Sequence, residues 1–91
     1  MMYTPVFTTQ FEKDVKRCQR RGKDMGKFRE VARALIAGQP LDPSHRDHRL
    51  LGDYAGRRDC HIEPDWVLIY KVDGQRLVFE RMGAHSDLFK R

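Results

Sequence analysis

The stretch Val67-Leu68-Ile69-Tyr70, followed by Asp73-Gly74 and then by Leu77-Val78-Phe79-Glu80-Arg81, decides the fold of this chain. Its first four residues form an unbroken apolar run, short enough for a central strand that is covered on both faces. Asp73-Gly74 is typical of a tight turn, because glycine readily adopts the positive φ angle that such a turn needs. The stretch therefore predicts a β-hairpin at the centre of an antiparallel sheet.

Other strands are predicted on either side of this hairpin. Residues 57–62 form a strand that ends before a turn at Pro64, and residues 3–8 form a short first strand. Gly83 ends the last strand, so that residues 85–89 form a short terminal turn near the end of the sheet.

Two helices are predicted between the first strand and the rest of the sheet. A Thr-x-x-Glu capping box at Thr9 and Glu12 starts the first helix. Asp24 caps the second helix, whose apolar residues recur at helical spacing until Gly38 and Pro40 end it. We predict an α+β fold in which two N-terminal helices pack on one face of a twisted, mainly antiparallel sheet.

A polar loop, residues 39–53, is predicted between the second helix and the sheet. It contains His45 and His48, and it ends with Leu50 and Leu51, which we expect to anchor it to the core. Two histidines in one surface loop make this loop a candidate for part of a site.

Length and charge restrict the classes of function. The chain has 91 residues, which predicts a single domain over residues 1–91 without a separate cofactor-binding lobe. Its formal charge of +5 favours a polyanionic or acidic partner. Cys18 and Cys60 are too few for a disulfide framework, and no apolar run is long enough to span a membrane, which together predict a cytoplasmic protein without membrane contact.

Three histidines and an aspartate supply more acid–base chemistry than a chain of this size usually carries. They are His48, His61, Asp65 and His85. Metal-free cleavage of RNA needs one group that takes the 2′-hydroxyl proton and another that protonates the leaving 5′-oxygen. Histidine suits both roles, because its ordinary pKa of ~6.5 populates both protonation states near neutral pH.

Cationic and aromatic residues could complete an RNA site. Arg57, Arg58 and Arg81 are candidates for neutralising phosphate charge, although the first two adjoin on a strand, so at most one of them can face the site. Trp66 or Phe89 could stack on a base of single-stranded RNA.

Simpler interpretations stay open at this point. Isolated histidines are most often ordinary surface residues, and Trp66 is as well suited to the core as to stacking. His61-Ile62-Glu63 has the His-x-Glu start of a zinc deaminase, but the Pro-Cys-x-x-Cys that must follow is absent. Separated ligands could still converge on a metal, although nothing at close spacing supports a metal site. A binding module that cleaves nothing is the competing interpretation.

Three blocks of sequence resemble the YafQ-type toxins of the RelE/ParE toxin superfamily. The blocks are residues 47–52, 56–71 and 79–85, and the segment His61-Ile62-Glu63-Pro64-Asp65-Trp66 is specific to that branch. The resemblance also covers residues 13–16 and 23–25, and so extends over nearly the whole chain.

The resemblance implies a ribosome-dependent endoribonuclease that cuts messenger RNA in the ribosomal A site. Because the acid–base reading relies on proton transfer by side chains, we expect cleavage to need no cofactor or metal. It implies a cognate antitoxin, acidic and DinJ/RelB-like, with operator DNA bound only through the antitoxin complex. By matching position, the acid–base group is His48, His61, Asp65 and His85, while Trp66 and Phe89 shape the site or contact the message. We expect a base function on His48 or Asp65 and an acid function on His85, with His61 positioning or sharing the proton. His45 has no matching position, and we expect it to be dispensable for toxicity.

The exposed face of the first helix is strongly basic. Its cations are Lys13, Lys16, Arg17 and Arg20. Phosphate-facing cations contribute salt-dependent affinity without transferring protons, so we predict that this face binds the ribosome. Gyrase-directed members of the same superfamily lack RNA cleavage, and the histidine set is what favours the nuclease.

Overall fold

A computed structural model describes residues 2–89. In chain order the elements are β1 Thr4–Phe7, α1 Thr9–Arg20, α2 Met25–Ile36, β2 His48–Arg49, β3 Arg58–Glu63, β4 Trp66–Asp73, β5 Arg76–Gly83 and α3 His85–Leu88, with 3₁₀ turns at Pro43–His45 and Gly52–Tyr54. No helix among these residues has the length and apolar character needed to cross a membrane.

The strands form one five-stranded sheet in the order β1-β5-β4-β3-β2. The pairing of β1 with β5 is parallel, and the other three pairings are antiparallel. β4 lies at the centre, and each residue from Val67 to Tyr70 is at most 3% exposed. The predicted α+β fold with a mainly antiparallel sheet is confirmed.

The helices begin and end at local capping signals, one of which lies a residue earlier than predicted. Asp24 caps α2 by accepting a hydrogen bond from the backbone N–H of Gly26, as expected. The cap of α1 is Thr8, whose hydroxyl accepts from the N–H of Phe11, so the predicted capping box at Thr9 is wrong. Thr8 has the extended backbone that an N-cap requires, whereas Thr9 is already helical.

The two faces of the sheet are covered differently. The helices cover one face, where Phe11, Cys18 and Leu35 pack with Trp66 and Phe79 in the main core. The opposite face has only a small cluster, formed by Val67, Ile69 and Leu88 with partly buried Leu50, Tyr54 and Phe89 around them. That second face is therefore open enough to hold a site.

The loop predicted over residues 39–53 has more structure than expected. His48 lies in strand β2, paired with Asp59 of β3, rather than in an irregular loop. Leu50 packs against the smaller cluster as predicted, but Leu51 is 87% exposed, so its predicted role as an anchor is wrong.

Side chains cap the sheet edges where the short outer strands stop. Beyond β1, the free edge of β5 is bonded by α1: Asp14 accepts from the N–H of Met82 at 3.0 Å, and Arg17 donates to the carbonyl of Met82 at 2.8 Å. Beyond β2, Nδ1 of His45 lies 2.7 Å from the carbonyl oxygen of His61, to which it donates. Unpaired backbone groups at both edges are thereby satisfied.

Candidate active site

Acidic and histidine side chains converge on the sheet face opposite the helices. β2 and β3 contribute His48, Asp59 and His61, the β3–β4 turn contributes Asp65, and α3 contributes His85. Because neighbouring residues of paired strands share a face, His48 and Asp59 lie side by side, and His61 lies two residues further along β3. The structure thus brings together all four residues that the sequence predicts for acid–base catalysis.

His48 is paired with a carboxylate that the sequence analysis missed. Its Nε2 lies 2.8 Å from Oδ1 of Asp59, although the ring N–H is not aligned for a hydrogen bond, and its Nδ1 lies 3.0 Å from the carbonyl oxygen of Arg49. Both ring nitrogens therefore face acceptors.

Asp59 is deeply buried for a carboxyl group, with a side chain only 5% exposed. Burial raises its pKa, while the charges of His48, His61 and His85 oppose that rise. Period-two alternation along the predicted strand 57–62 places Asp59 and His61 on one face, so this was the signal that could have identified Asp59.

Asp65 orients the ring of His85. Its Oδ1 accepts from Nδ1 of His85 at 2.7 Å and from the backbone N–H of His85 at 2.9 Å. These hydrogen bonds lower the pKa of Asp65, so it remains a carboxylate. Nε2 of His85 is left as the ring nitrogen that can exchange a proton with a ligand, and the ring is about half exposed.

His61 lies between the two carboxylate–histidine pairs. Its ring centroid is 5.2 Å from that of His85, with the ring planes at 84°. Burial is the main reason that the pKa of His61 is lowered, and the charges of His85 and Arg46 act in the same direction. A neutral His61 beside an oriented His85 is a pair of rings suited to opposite proton transfers.

The junction between β5 and α3, which precedes His85, is held in position by contacts with residues of α1 and its C-terminal end. Asp87 accepts from Arg21 at 2.7 Å and from the N–H of Ala84 at 2.9 Å. The Arg21 guanidinium is the main reason that the pKa of Asp87 falls to about 2. A Cβ on Gly83 would lie 2.6 Å from Nη2 of Arg17 and 3.0 Å from Oδ2 of Asp87, so a larger residue here would displace the side chains that hold this junction.

One predicted aromatic contact with RNA is wrong. Trp66 is 0% exposed and belongs to the main core under the helices, so its ring cannot stack on a base. Phe89 lies at the site, partly buried, with its ring centroid 6.0 Å from that of His85 and 5.7 Å from that of Tyr54. Phe89 is the one of the two that can reach a ligand.

The three predicted phosphate-binding arginines are all paired with carboxylates. Arg57 donates to Glu80, and Arg81 donates through two nitrogens to the buried carboxylate of Asp14. Arg58 pairs with Asp47, and alternation places it on the face opposite Asp59, so its predicted role beside the site is wrong.

The basic face of α1 is exposed at most of its predicted positions. Lys13, Lys16 and Arg20 are exposed. Arg17 is an exception, because its guanidinium lies 3.0 Å from Asp14 and donates to the carbonyl of Met82. Its predicted ribosome-binding role is therefore corrected to a structural one.

The acid–base cluster does not form a metal site in this geometry. Among residues 2–89 no group of three or more His, Cys, Asp or Glu side chains is arranged to hold a metal ion. The donors instead face one another: Nε2 of His48 faces Asp59, and Nδ1 of His85 faces Asp65. These contacts orient the imidazole rings and leave Nε2 of His85 facing the open side of the cluster.

Comparisons with known proteins give relatives of similar length and fold. The mRNA interferase toxin YafQ of Escherichia coli strain K12 is 46% identical over 84 residues, which cover 91% of each chain. A chain from the crystal structure of the E. coli DinJ–YafQ toxin–antitoxin complex superposes with a TM-score of 0.90 at 43% identity, covering 98% of this chain and 99% of that chain. A copper-bound mutant toxin from Helicobacter pylori has a TM-score of 0.91 at 37% identity, covering 98% of this chain and 100% of that chain.

A family model also matches nearly the whole chain. It describes the bacterial toxin YafQ of type II toxin–antitoxin systems and matches residues 3–90. Sequence and fold therefore agree with the resemblance that the blocks around His48, His61 and His85 indicated. The chain belongs to the YafQ family of type II toxin–antitoxin toxins.

Proposed function

We propose that this protein is an endoribonuclease toxin that cleaves translated messenger RNA in the ribosomal A site. The observation that carries the proposal is the pairing of His85 with Asp65 at 2.7 Å, beside a second histidine ring whose centroid is 5.2 Å away. Membership of a family that includes an mRNA interferase supports the same activity. The acid–base groups act on RNA without a metal ion.

The contacts favour His61 as the base and His85 as the acid. His61 has a lowered pKa and so stays neutral near pH 7, ready to accept the proton of the 2′-hydroxyl. His48 has acceptors at both nitrogens, and Asp65 is occupied by two N–H groups of His85. This order differs from the sequence-based expectation, in which His48 or Asp65 served as the base.

The proposed reaction balances its protons between the two rings. The 2′-oxygen attacks the adjacent phosphorus as its proton moves to His61, and the bond from phosphorus to the 5′-oxygen breaks. His85 donates a proton to that leaving oxygen, which gives a 2′,3′-cyclic phosphate and a 5′-hydroxyl. Asp65 positions the His85 ring by accepting from its Nδ1, so that Nε2 points to the leaving oxygen.

Groups around the histidines would bind the message and the ribosome. Phe89 offers a partly buried ring beside His85 on which a base can stack. Arg57 and Arg81 approach the phosphates as cations that are already paired with carboxylates. The exposed cations Lys13, Lys16 and Arg20 contact ribosomal RNA.

A cognate antitoxin holds the toxin inactive in this proposal. The solved DinJ–YafQ complex of E. coli supports an antitoxin partner for this chain. The net charge of +5 favours an acidic antitoxin, DinJ/RelB-like, whose association is steered electrostatically. Operator DNA is bound only through that complex.

The test is cleavage of a translated message by the purified toxin in a reconstituted translation system. We expect wild type and Ser86→Ala, an exposed neighbour in α3, to cut the message, and His85→Ala to lose roughly 100-fold or more in rate. Equal toxicity of wild type and His85→Ala without any cut message would favour the competing function, a binding module that blocks its target.

A separate measurement tests metal independence, which matters because a toxin of this fold has been solved with bound copper. Toxin treated with a chelator and then transferred to ribosomes that keep their own magnesium should cleave at the untreated rate. Loss of cleavage that added zinc or copper restores would overturn the metal-free reaction.

A further inference from the structure

A cavity of about 310 Å³ adjoins the catalytic cluster on the side away from α3. One wall is the turn of residues 44–46, and the other is residues 61–64 at the end of β3. His61 belongs to both the cavity and the acid–base cluster. The cavity is therefore within one residue of the proposed reaction centre.

The turn that forms the cavity wall is fixed by its own contacts. Asp42 caps it by accepting from the N–H of Ser44 at 2.9 Å. Arg46 ends it in the left-handed conformation, with φ of 48°. His45 joins the turn to the strand edge by donating from Nδ1 to the carbonyl of His61. The wall is thus attached to the same residue whose ring takes part in catalysis.

Size and chemistry indicate one planar ring system as the occupant. The volume is at the lower end of the ~300–1,000 Å³ typical of small-ligand sites. Ile62 and Pro64 supply apolar surface, and the Ser44 hydroxyl supplies a donor and acceptor. Nδ1 of His45 donates to the carbonyl of His61, which leaves Nε2 as the ring nitrogen that can contact the edge of a base.

We propose that this cavity binds a nucleobase of the message next to the cleaved bond and discriminates between bases. The proposal rests on the proposed ribonuclease function. Sequence-specific recognition of RNA uses bases splayed out of single strands, stacked and hydrogen-bonded on their edges, and this cavity offers both kinds of contact. Arg46 lies at its rim, close enough that its charge helps to lower the pKa of His61, and can neutralise the adjoining phosphate.

The test fills the cavity without touching a catalytic residue. Ser44→Trp places a large ring at the cavity, and Gln75→Trp makes the same change at another exposed polar turn residue, in the β4–β5 hairpin. Each variant is mixed with translating ribosomes, and cut sites and kcat/KM are mapped over one message. We expect Gln75→Trp to match wild type, and Ser44→Trp to lose roughly 10-fold or more at preferred sites and to change the preferred base.

A second variant keeps the test decisive if Ser44→Trp folds poorly. Arg46→Gly tolerates the positive φ angle and widens the cavity instead of filling it, so it should relax base preference. Wild-type base preference in both variants, whatever their overall rate, would overturn the inference while leaving the ribonuclease function intact. Absence of cutting by the wild-type toxin would instead overturn the proposed function itself.

Discussion

At the scale of single residues, Asp59 is the group whose removal tests the site most directly. Its carboxyl is buried against His48, and replacing it with the isosteric amide removes the charge while preserving the volume. We expect Asp59→Asn to lower the saturated cleavage rate roughly 10-fold or more, with ribosome affinity unchanged, because Nε2 of His48 then faces a neutral amide instead of a carboxyl group that can ionise.

Asp47→Asn is the matched control for that prediction. Asp47 is likewise an aspartate paired with a basic side chain, Arg58, but on the opposite face of the sheet. Its loss should affect the free energy of unfolding and leave the cleavage of bound message unchanged. If the two variants lowered ribosome affinity alike and cleaved bound message normally, Asp59 would have only a structural role.

The pH dependence of cleavage tests His61 as the base. Since burial lowers its pKa below the ordinary 6.5, the cleavage rate should rise with pH through an apparent pKa below 6.5 and be fully developed at neutrality. The same shift makes folding stability rise with pH over that interval, because the unfolded chain binds the proton more tightly. In His61→Gln, the single-turnover cleavage rate should no longer rise with pH over this interval. If the rise were unchanged in that variant, the base would be a group other than His61.

Single residues were predicted unequally well from the sequence. The resemblance identified His48, His61, Asp65 and His85, and the structure brings all of them together. Trp66 could not be assigned from its residue type, because a tryptophan suits a core and a binding surface equally, and only its position beneath the helices decides between them.

At the scale of elements, α1 replaces the strand partner that β5 lacks beyond the end of β1. Asp14 and Arg17 of this helix form hydrogen bonds with the backbone of Met82 at the edge of β5. Arg21, which directly follows the helix, donates to Asp87 in α3. A helix far from the message thereby sets the position of the element that carries His85.

Gly83→Ala tests this coupling. The added Cβ would approach Arg17 to 2.6 Å and Asp87 to 3.0 Å, so we expect a loss of about 1–3 kcal/mol in the free energy of unfolding and a lower cleavage rate. Gly74→Ala, in the hairpin turn, should destabilise through its φ of +61° without changing cleavage of bound message. Chemical denaturation measures the free energy of unfolding of each variant, and single-turnover kinetics measure its cleavage rate. Normal cleavage by Gly83→Ala would show that contacts with α1 do not position His85.

Elements held by local signals were predictable, and those held by distant pairing were not. The β4–β5 hairpin follows from an apolar run and a turn glycine that are adjacent in sequence. β2 has two residues and no strand pattern of its own, since it exists only because His48 and Arg49 pair with β3. No periodicity can be read in so short a segment.

At the scale of the whole molecule, the sheet arginines Arg57, Arg58 and Arg81 are paired with carboxylates, whereas three cations of α1 are exposed to a partner. Changing Lys13, Lys16 and Arg20 together to Gln should weaken ribosome binding and make it less dependent on salt, with the saturated cleavage rate unchanged. Arg17→Gln should instead lower the free energy of unfolding, because its guanidinium bonds Asp14 and the β5 edge. Ribosome affinity measured at several salt concentrations tests the triple variant, and thermal unfolding tests Arg17→Gln. A triple variant that binds the ribosome as tightly as wild type would show that α1 is not the ribosome-binding surface.

The parallel pairing of β1 with β5 also orders events in time. Thr8 and Glu80, which meet at that junction, are 72 positions apart, and His85 follows them. During synthesis the sheet cannot close, and the histidines cannot assemble, until the last strand has left the ribosome that is making it. His61 and His85 therefore come together only when nearly the whole chain has been made, and an antitoxin that binds the folded surface can meet the assembled cluster no earlier.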